Sequence, residues 1–225
     1  ALAIVEPALS GTGVRFDNLS THQQLQLDPI ADVANPIAQI VHLVLAHSGI
    51  ESIDITITLE SSIPIASGLG SGAAVSAAVG RALARFLGSS LDHTALNAMV
   101  YEVEKTHHGT PSGIDNTVIV FEQPIVFQRE RPIESLSVGA EFCFLIADTG
   151  VSAPTRQVVG DVRLLHDRHS SFVRGILDEI GALVVEARQA LGRGDAAHVG
   201  ALMSANHALL QSLTVSSPAL DVLVG

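Results

Sequence analysis

Two carboxylates and a run of alternating glycines are the residues of this sequence best suited to chemistry. Glu104 closes a helical pattern, and Asp115 follows Pro111-Ser112-Gly113 in a turn. One carboxylate can hold a hard cation through anionic oxygen. A second can orient a hydroxyl and accept its proton. Gly68, Gly70 and Gly72 let backbone come close to a ligand, and Ser71 stands where a helix begins. A helix start offers free N–H groups and a partial positive charge, which suit phosphate. Each feature also has a plainer reading. The loop is an ordinary strand-to-helix turn with Ser71 as N-cap, Glu104 is a surface partner of Lys105, and Asp115 is a turn residue of the common Asx kind. The two usual nucleotide fingerprints are absent. There is no Gly-Lys-Ser/Thr, and the glycines alternate where a dinucleotide loop needs Gly-x-Gly-x-x-Gly. His107 and His108 lack the ligand spacing of a zinc site.

The elements that must position these groups are readable on either side of them. Apolar residues fall at every second place in 52–59, which predicts a half-buried strand leading into the loop. Asn35-Pro36 predicts a helix start, with Ile37, Ile40, Val41, Val44 and Leu45 as its buried stripe and Gly49 as its stop. Past the loop, an Ala-rich helix is expected from Ala73 to Leu87, ending at Gly88. Asp92 caps the next helix, which carries Leu96, Met99, Val100 and Val103. Strands are expected over 117–121, 125–127 and 142–147, and helices over roughly 155–169, 172–191, 195–212 and from Ser217-Pro218 onward. A β-rich first half and a helical second half predict an α+β chain of two domains.

The chain has 225 residues, 47% of them hydrophobic, which suffices for two cores. Its formal charge of −11 argues against a nucleic-acid partner, which needs clustered Lys and Arg. A nucleotide ligand stays open, because backbone amides and a metal ion can hold phosphates in an acidic protein. The single cysteine, Cys143, allows no internal disulfide and is expected in a buried strand. No leader opens the chain and no apolar run reaches the roughly 20 residues of a membrane helix, so a cytoplasmic protein with no membrane contact is expected.

Read as whole strings, the two segments are more specific. Pro64-Ile65-Ala66-Ser67-Gly68-Leu69-Gly70-Ser71-Gly72-Ala73-Ala74 resembles the Pro-x-x-x-Gly-Leu-Gly-Ser-Ser-Ala-Ala loop of the GHMP kinases. Residues 104–116 resemble the Glu-x-x-x-His-Gly-x-Pro-Ser-Gly-x-Asp-Asn stretch of the mevalonate kinase branch, with every fixed position matched. The resemblance implies that Pro64, Ser67, Gly68, Leu69, Gly70, Ser71, Gly72 and Ala73 wrap the phosphates of ATP. It implies that Glu104 coordinates Mg2+, that Asp115 is the general base, and that His108, Gly109, Pro111, Ser112 and Gly113 shape the substrate loop. Phosphoryl transfer is mostly positioning and charge neutralisation, which suits that division of labour. One departure stands out. The family's second loop serine, which is implicated in holding the metal, is Gly72 here, so Ser71, a water or Glu104 would fill its role. A weaker match over 146–156 makes Thr155 a candidate hydroxyl near the phosphates, or the N-cap of the helix that follows, and gives Asp148 a loop-fixing role.

The resemblance further implies a two-domain GHMP fold. A ribosomal protein S5 domain 2-like N-terminal domain would span 1–135, and a ferredoxin-like C-terminal domain 136–225. The family's opening Gly-Lys and Gly-Glu-His segment and its closing glycine loop are not in the sequence, so a chain truncated at both ends is expected. The implied activity is ATP-dependent phosphorylation of mevalonate to 5-phosphomevalonate, in isoprenoid biosynthesis, by a protein that could pair as a homodimer. Another GHMP kinase or decarboxylase, or a non-catalytic binding protein of this type, is the alternative.

Overall fold

The computed structural model describes the chain except for residues 65–67, 109–110, 130 and 151–154, and except for the side chains of residues 107, 108, 155 and 156. Two compact units divide it, Ala1–Gln123 and Pro124–Gly225.

The first unit is built on a four-stranded sheet. Strands β1 (Leu2–Pro7), β2 (Val14–Asn18), β3 (Gln23–Leu27) and β4 (Ile55–Glu60) lie in the order β1-β4-β2-β3. β4 runs antiparallel to β1 and parallel to β2, which pairs Ile57 with Val5 on one side and Phe16 on the other. The alternation in β4 does what the sequence pattern demands. Ile55, Ile57 and Leu59 are buried together with Val14, Phe16 and Leu27, and Thr56 and Thr58 turn to the other face.

Four helices complete this core. In α1 (Pro36–His47) the Asn35 side chain accepts hydrogen bonds from the N–H groups of Ile37 and Ala38, as the Asn-Pro signal predicts. Ile40, Val41 and Val44 of α1 are fully buried. α2 (Ser71–Phe86) follows the glycine loop. α3 (His93–His108) starts at Asp92, whose carboxylate accepts from the Ala95 N–H at 2.7 Å.

The fourth helix corrects the sequence reading. Residues 117–121 are not a strand but part of α4 (Ile114–Phe121). The β-branched run favours a strand locally, but burial decides otherwise. Asn116, Thr117 and Val120 are buried at helical spacing, and Gly113, at φ +92°, turns the chain into the helix. The Thr117 hydroxyl donates to the Gly113 carbonyl at 2.6 Å, which closes the first turn.

The second unit holds a two-residue ladder, β5 (Ile125–Val126) with β6 (Glu134–Ser135), and helices α5 (Thr155–Arg168), α6 (Ser170–Arg193), α7 (Ala196–Ser212) and α8 (Pro218–Val224). Ser217 caps α8 by accepting from the Leu220 N–H. Residues 142–147 do not form the expected strand. A strand needs a hydrogen-bonded neighbour, and among the described residues of this unit the only ladder is β5–β6. Phe142 alone reaches a core, beside Ala187 and Leu191 of α6. Phe144, Leu145 and Ile146 are exposed, and so is Cys143, which corrects its expected burial.

Candidate functional site

The site is built where α2 begins. Gly70 is the N-cap residue of α2 with φ +65°, a left-handed conformation that glycine takes without strain. Ser71 is the first helical residue, and the cap makes no side-chain hydrogen bond, so Ser71 does not act as the N-cap. The first-turn N–H groups of α2 have no acceptor inside the helix, and the turn carries no acidic residue, so its positive end is uncompensated from within.

Both carboxylates converge on this turn from different helices. A β-carbon placed on Gly72 would lie 3.0 Å from Glu104 Oε1. Glu104 comes from α3, and only 6% of it is exposed. A β-carbon on Gly70 would lie 3.6 Å from Asp115 Cβ, 3.8 Å from its Cγ and 3.0 Å from Ile119 Cδ1. Asp115 comes from the first turn of α4, and its side chain is open to solvent. The two glycines are therefore the space into which the carboxylates fit. Gly72 keeps ordinary helical backbone, so its missing side chain is explained by the room that Glu104 occupies.

The neighbours of these groups sort into other tasks. Lys105 is not turned to Glu104. Its ammonium donates to Glu102 at 2.7 Å and lies over the Tyr101 ring, and the bond to Glu102 raises its pKa. Ser112 Oγ accepts from the Ile114 N–H at 3.3 Å, where the chain enters α4. Behind Asp115, Asn116 Nδ2 donates to Asn97 Oδ1 at 2.6 Å. Asn97 Nδ2 in turn reaches Thr117 Oγ1 at 3.5 Å. Asn97 was not among the residues singled out from the sequence, although it lies two helical turns before Glu104 and so on the same side of α3.

Of the other predicted residues, Pro64, Gly68 and Leu69 lie in the exposed approach to α2, Ala73 is buried in its first turn, and Pro111 and Gly113 precede α4. Ser67 and Gly109 and the side chain of His108 lie outside the described residues. Thr155 opens α5 in the second unit, and its side chain also lies outside them. Asp148 accepts from the Gly150 N–H at 3.0 Å and fixes its own turn.

Among the described residues no three His, Cys, Asp or Glu side chains gather as a ready metal cage. One buried carboxylate beside a helix start whose positive end is uncompensated still fits magnesium, which takes one or two carboxylates and fills the rest of its octahedron with ligand oxygens and water. No helix among the described residues is long and apolar enough to cross a membrane.

The chain has counterparts in sequence and fold among known proteins. The GHMP kinases N terminal domain matches residues 35–123, which contain the loop and both carboxylates. The mevalonate kinase of Aeropyrum pernix is 35% identical over 181 residues, 80% of this chain and 56% of that protein. That of Pyrococcus furiosus is 30% identical over 219 residues, 95% of this chain and 65% of that protein. The chain thus spans less than two thirds of the length of either relative. Among solved structures, L. major mevalonate kinase in complex with R-mevalonate superimposes with a TM-score of 0.71 at 25% identity, covering 96% of this chain and 66% of that one. The Methanococcus jannaschii mevalonate kinase superimposes with a TM-score of 0.77 at 19% identity, covering 97% and 71%, a likeness of fold.

Proposed function

We propose, from the premise that this chain belongs to the GHMP kinases, that the full protein transfers the γ-phosphoryl group of ATP to the primary hydroxyl of mevalonate. The observation that carries the proposal is the meeting of Gly70, Gly72, Glu104 and Asp115 at one helix start. The first-turn amides of α2, with Gly68 and Gly70 giving close access, hold the phosphates. Glu104 would hold a magnesium ion, which would supply positive charge to neutralise that of the phosphates. Asp115 accepts a hydrogen bond from the attacking hydroxyl, aligns it with the phosphorus, and receives its proton as the new P–O bond forms and the bond to ADP breaks. Its side chain is open to solvent, so a substrate can reach it.

The likeness to mevalonate kinases in both sequence and fold supports mevalonate as the acceptor. Thr155 is assigned here as a hydroxyl near the phosphates, and the protein is assigned to the cytoplasm as a homodimer without nucleic-acid or membrane partners. An ADP-release assay of the full protein against mevalonate, phosphomevalonate, homoserine and galactose tests the reading. Mevalonate should be turned over with the highest kcat/KM. Preference for another acceptor would overturn the substrate, and no ADP release with any of them would overturn the kinase.

A further inference from the structure

We infer that Asn97 is a positioning residue for Asp115, fastening the first turn of α4 to α3 so that the carboxylate holds its place against Gly70. The inference rests on the reading of Asp115 as the group that orients the substrate hydroxyl.

The chain of contacts is short and closed. Asn116, only 3% exposed, donates through Nδ2 to Asn97 Oδ1 at 2.6 Å and lies 3.5 Å from the Asn97 carbonyl. Asn97 Nδ2 lies 3.5 Å from Thr117 Oγ1, and the Thr117 hydroxyl donates to Gly113 O at 2.6 Å. Asp115 itself makes no part of this network. It sits between Gly113, whose carbonyl the network holds, and Asn116, whose side chain it holds, and its own side chain is left to face Gly70.

Buried amide and hydroxyl groups cost free energy unless paired, so this arrangement is held tightly or not at all. A salt bridge would be a poorer fastener here, because a buried charge next to Asp115 would disturb the group it positions. The same helix, two turns on, presents Glu104 to Gly72. α3 therefore fixes both carboxylates, one directly and one through Asn97, and the separation between metal site and base is set by a single rigid element.

The test combines turnover with amide exchange. Asn97→Ala in the full protein should lower kcat about 10- to 100-fold, the cost of slight misplacement of a reacting group, and leave the Kd for ATP within about twofold. In an Asp115→Ala background the same substitution should change kcat by less than about twofold, because there is no carboxylate left to place. Amide exchange over 114–117 should quicken while that of α2 residues 77–84 holds. Thr117→Val, which keeps volume and removes the hydroxyl, should behave alike and serves if Asn97→Ala does not fold.

An unchanged kcat in Asn97→Ala, or an equal loss in both backgrounds, overturns the inference. Unchanged exchange over 114–117 overturns it as well, whatever the rates. If Asp115→Ala alone retains full turnover, it is the role given to Asp115 that fails, and the exchange measurement then decides whether the fastening exists.

Discussion

Gly72→Ala asks whether the site was shaped around Glu104. The added β-carbon would meet Glu104 Oε1 at 3.0 Å, where ordinary contact begins at 3.4 Å, so the oxygen must retreat by about 0.4 Å. The backbone of α3 cannot supply that movement, because Val100 and Val103, in the turn that precedes Glu104, are buried in the core. The side chain must turn instead, and a torsion about 30° from its minimum costs roughly 0.5–1.5 kcal/mol. Replacing glycine in a helix by alanine returns up to about 1 kcal/mol. The two nearly cancel, so melting should move by no more than a few degrees. Metal use should not escape so lightly, since magnesium demands near-ideal octahedral geometry at about 2.0–2.1 Å. We expect the magnesium concentration for half-maximal rate to rise about tenfold, equivalent to about 1.4 kcal/mol. Gly72→Ser makes the same steric demand but adds an oxygen that can itself meet the ion, and should recover most of the loss. Initial rates against magnesium at fixed ATP, with thermal melts alongside, measure both effects. If Gly72→Ala keeps its magnesium requirement within twofold while folding normally, Glu104 is not the metal carboxylate.

Four further outcomes are expected. Gly70→Val forces a β-branched residue to φ +65° and drives a side chain toward Ile119 and Asp115, so the nucleotide Kd should rise at least tenfold and stability fall by about 1–3 kcal/mol, read by calorimetry and circular dichroism. Asp115→Asn should cut kcat about 10²–10⁴-fold with ATP binding intact, whereas a mere turn residue would tolerate Asn, which makes the same turn. Glu104→Gln should raise the magnesium requirement and be partly relieved by excess magnesium in a titration of rate. Asp54 accepts from the Gly11 and Gly13 N–H groups, which hold its carboxyl below its ordinary pKa of 3.8. Its stabilising contribution is complete above that value and is lost as pH falls through the lower folded pKa, so Asp54→Asn should flatten the acid side of the melting profile below about pH 4.

Much of the helical framework was legible because its signals are local. Asn35-Pro36, Asp92 and Ser217-Pro218 are caps whose chemistry acts within a few residues, and they appear where the sequence places them. The alternation in β4 is equally self-contained. β1 to β3 went unread; β2 and β3 have five residues each, and β3 (Gln-Gln-Leu-Gln-Leu) shows little apolar character away from its partner. The two errors share a cause. Thr117-Val118-Ile119-Val120-Phe121 and Phe142-Cys143-Phe144-Leu145-Ile146-Ala147 both have the composition of strands, but a strand is completed by a neighbour that no local pattern reveals. The first run found α3 and its amide network and became a helix. The second found no partner among the described residues. The site was legible as two motifs and not as one place, since nothing in the spacing between Gly72 and Glu104, or between Gly70 and Asp115, says that they touch.

What brings the motifs together is the packing of α2 on α3. Gly72 faces Glu104, and Gly80 faces Leu96, whose Cδ1 would lie 2.8 Å from a β-carbon at position 80. Both contacts are eight residues apart on their own helix and run in opposite senses, as they must for antiparallel neighbours with the same rise of about 1.5 Å per residue. Midway between them, Ser76 and Val100 are both buried. The glycines at 72 and 80 are thus two ends of one close approach, with the small, buried Ser76 between them. On the reading proposed above, a helix that opens in a phosphate-binding turn needs its positive end exposed, while a carboxylate that is to hold a metal must come near the same end without entering the turn. Small residues along α2 meet both needs: they let α3 lie close enough for Glu104 to reach the first turn from the side. On that reading Gly72, Ser76 and Gly80 of α2 belong to the site as spacers, although none of them takes part in the reaction.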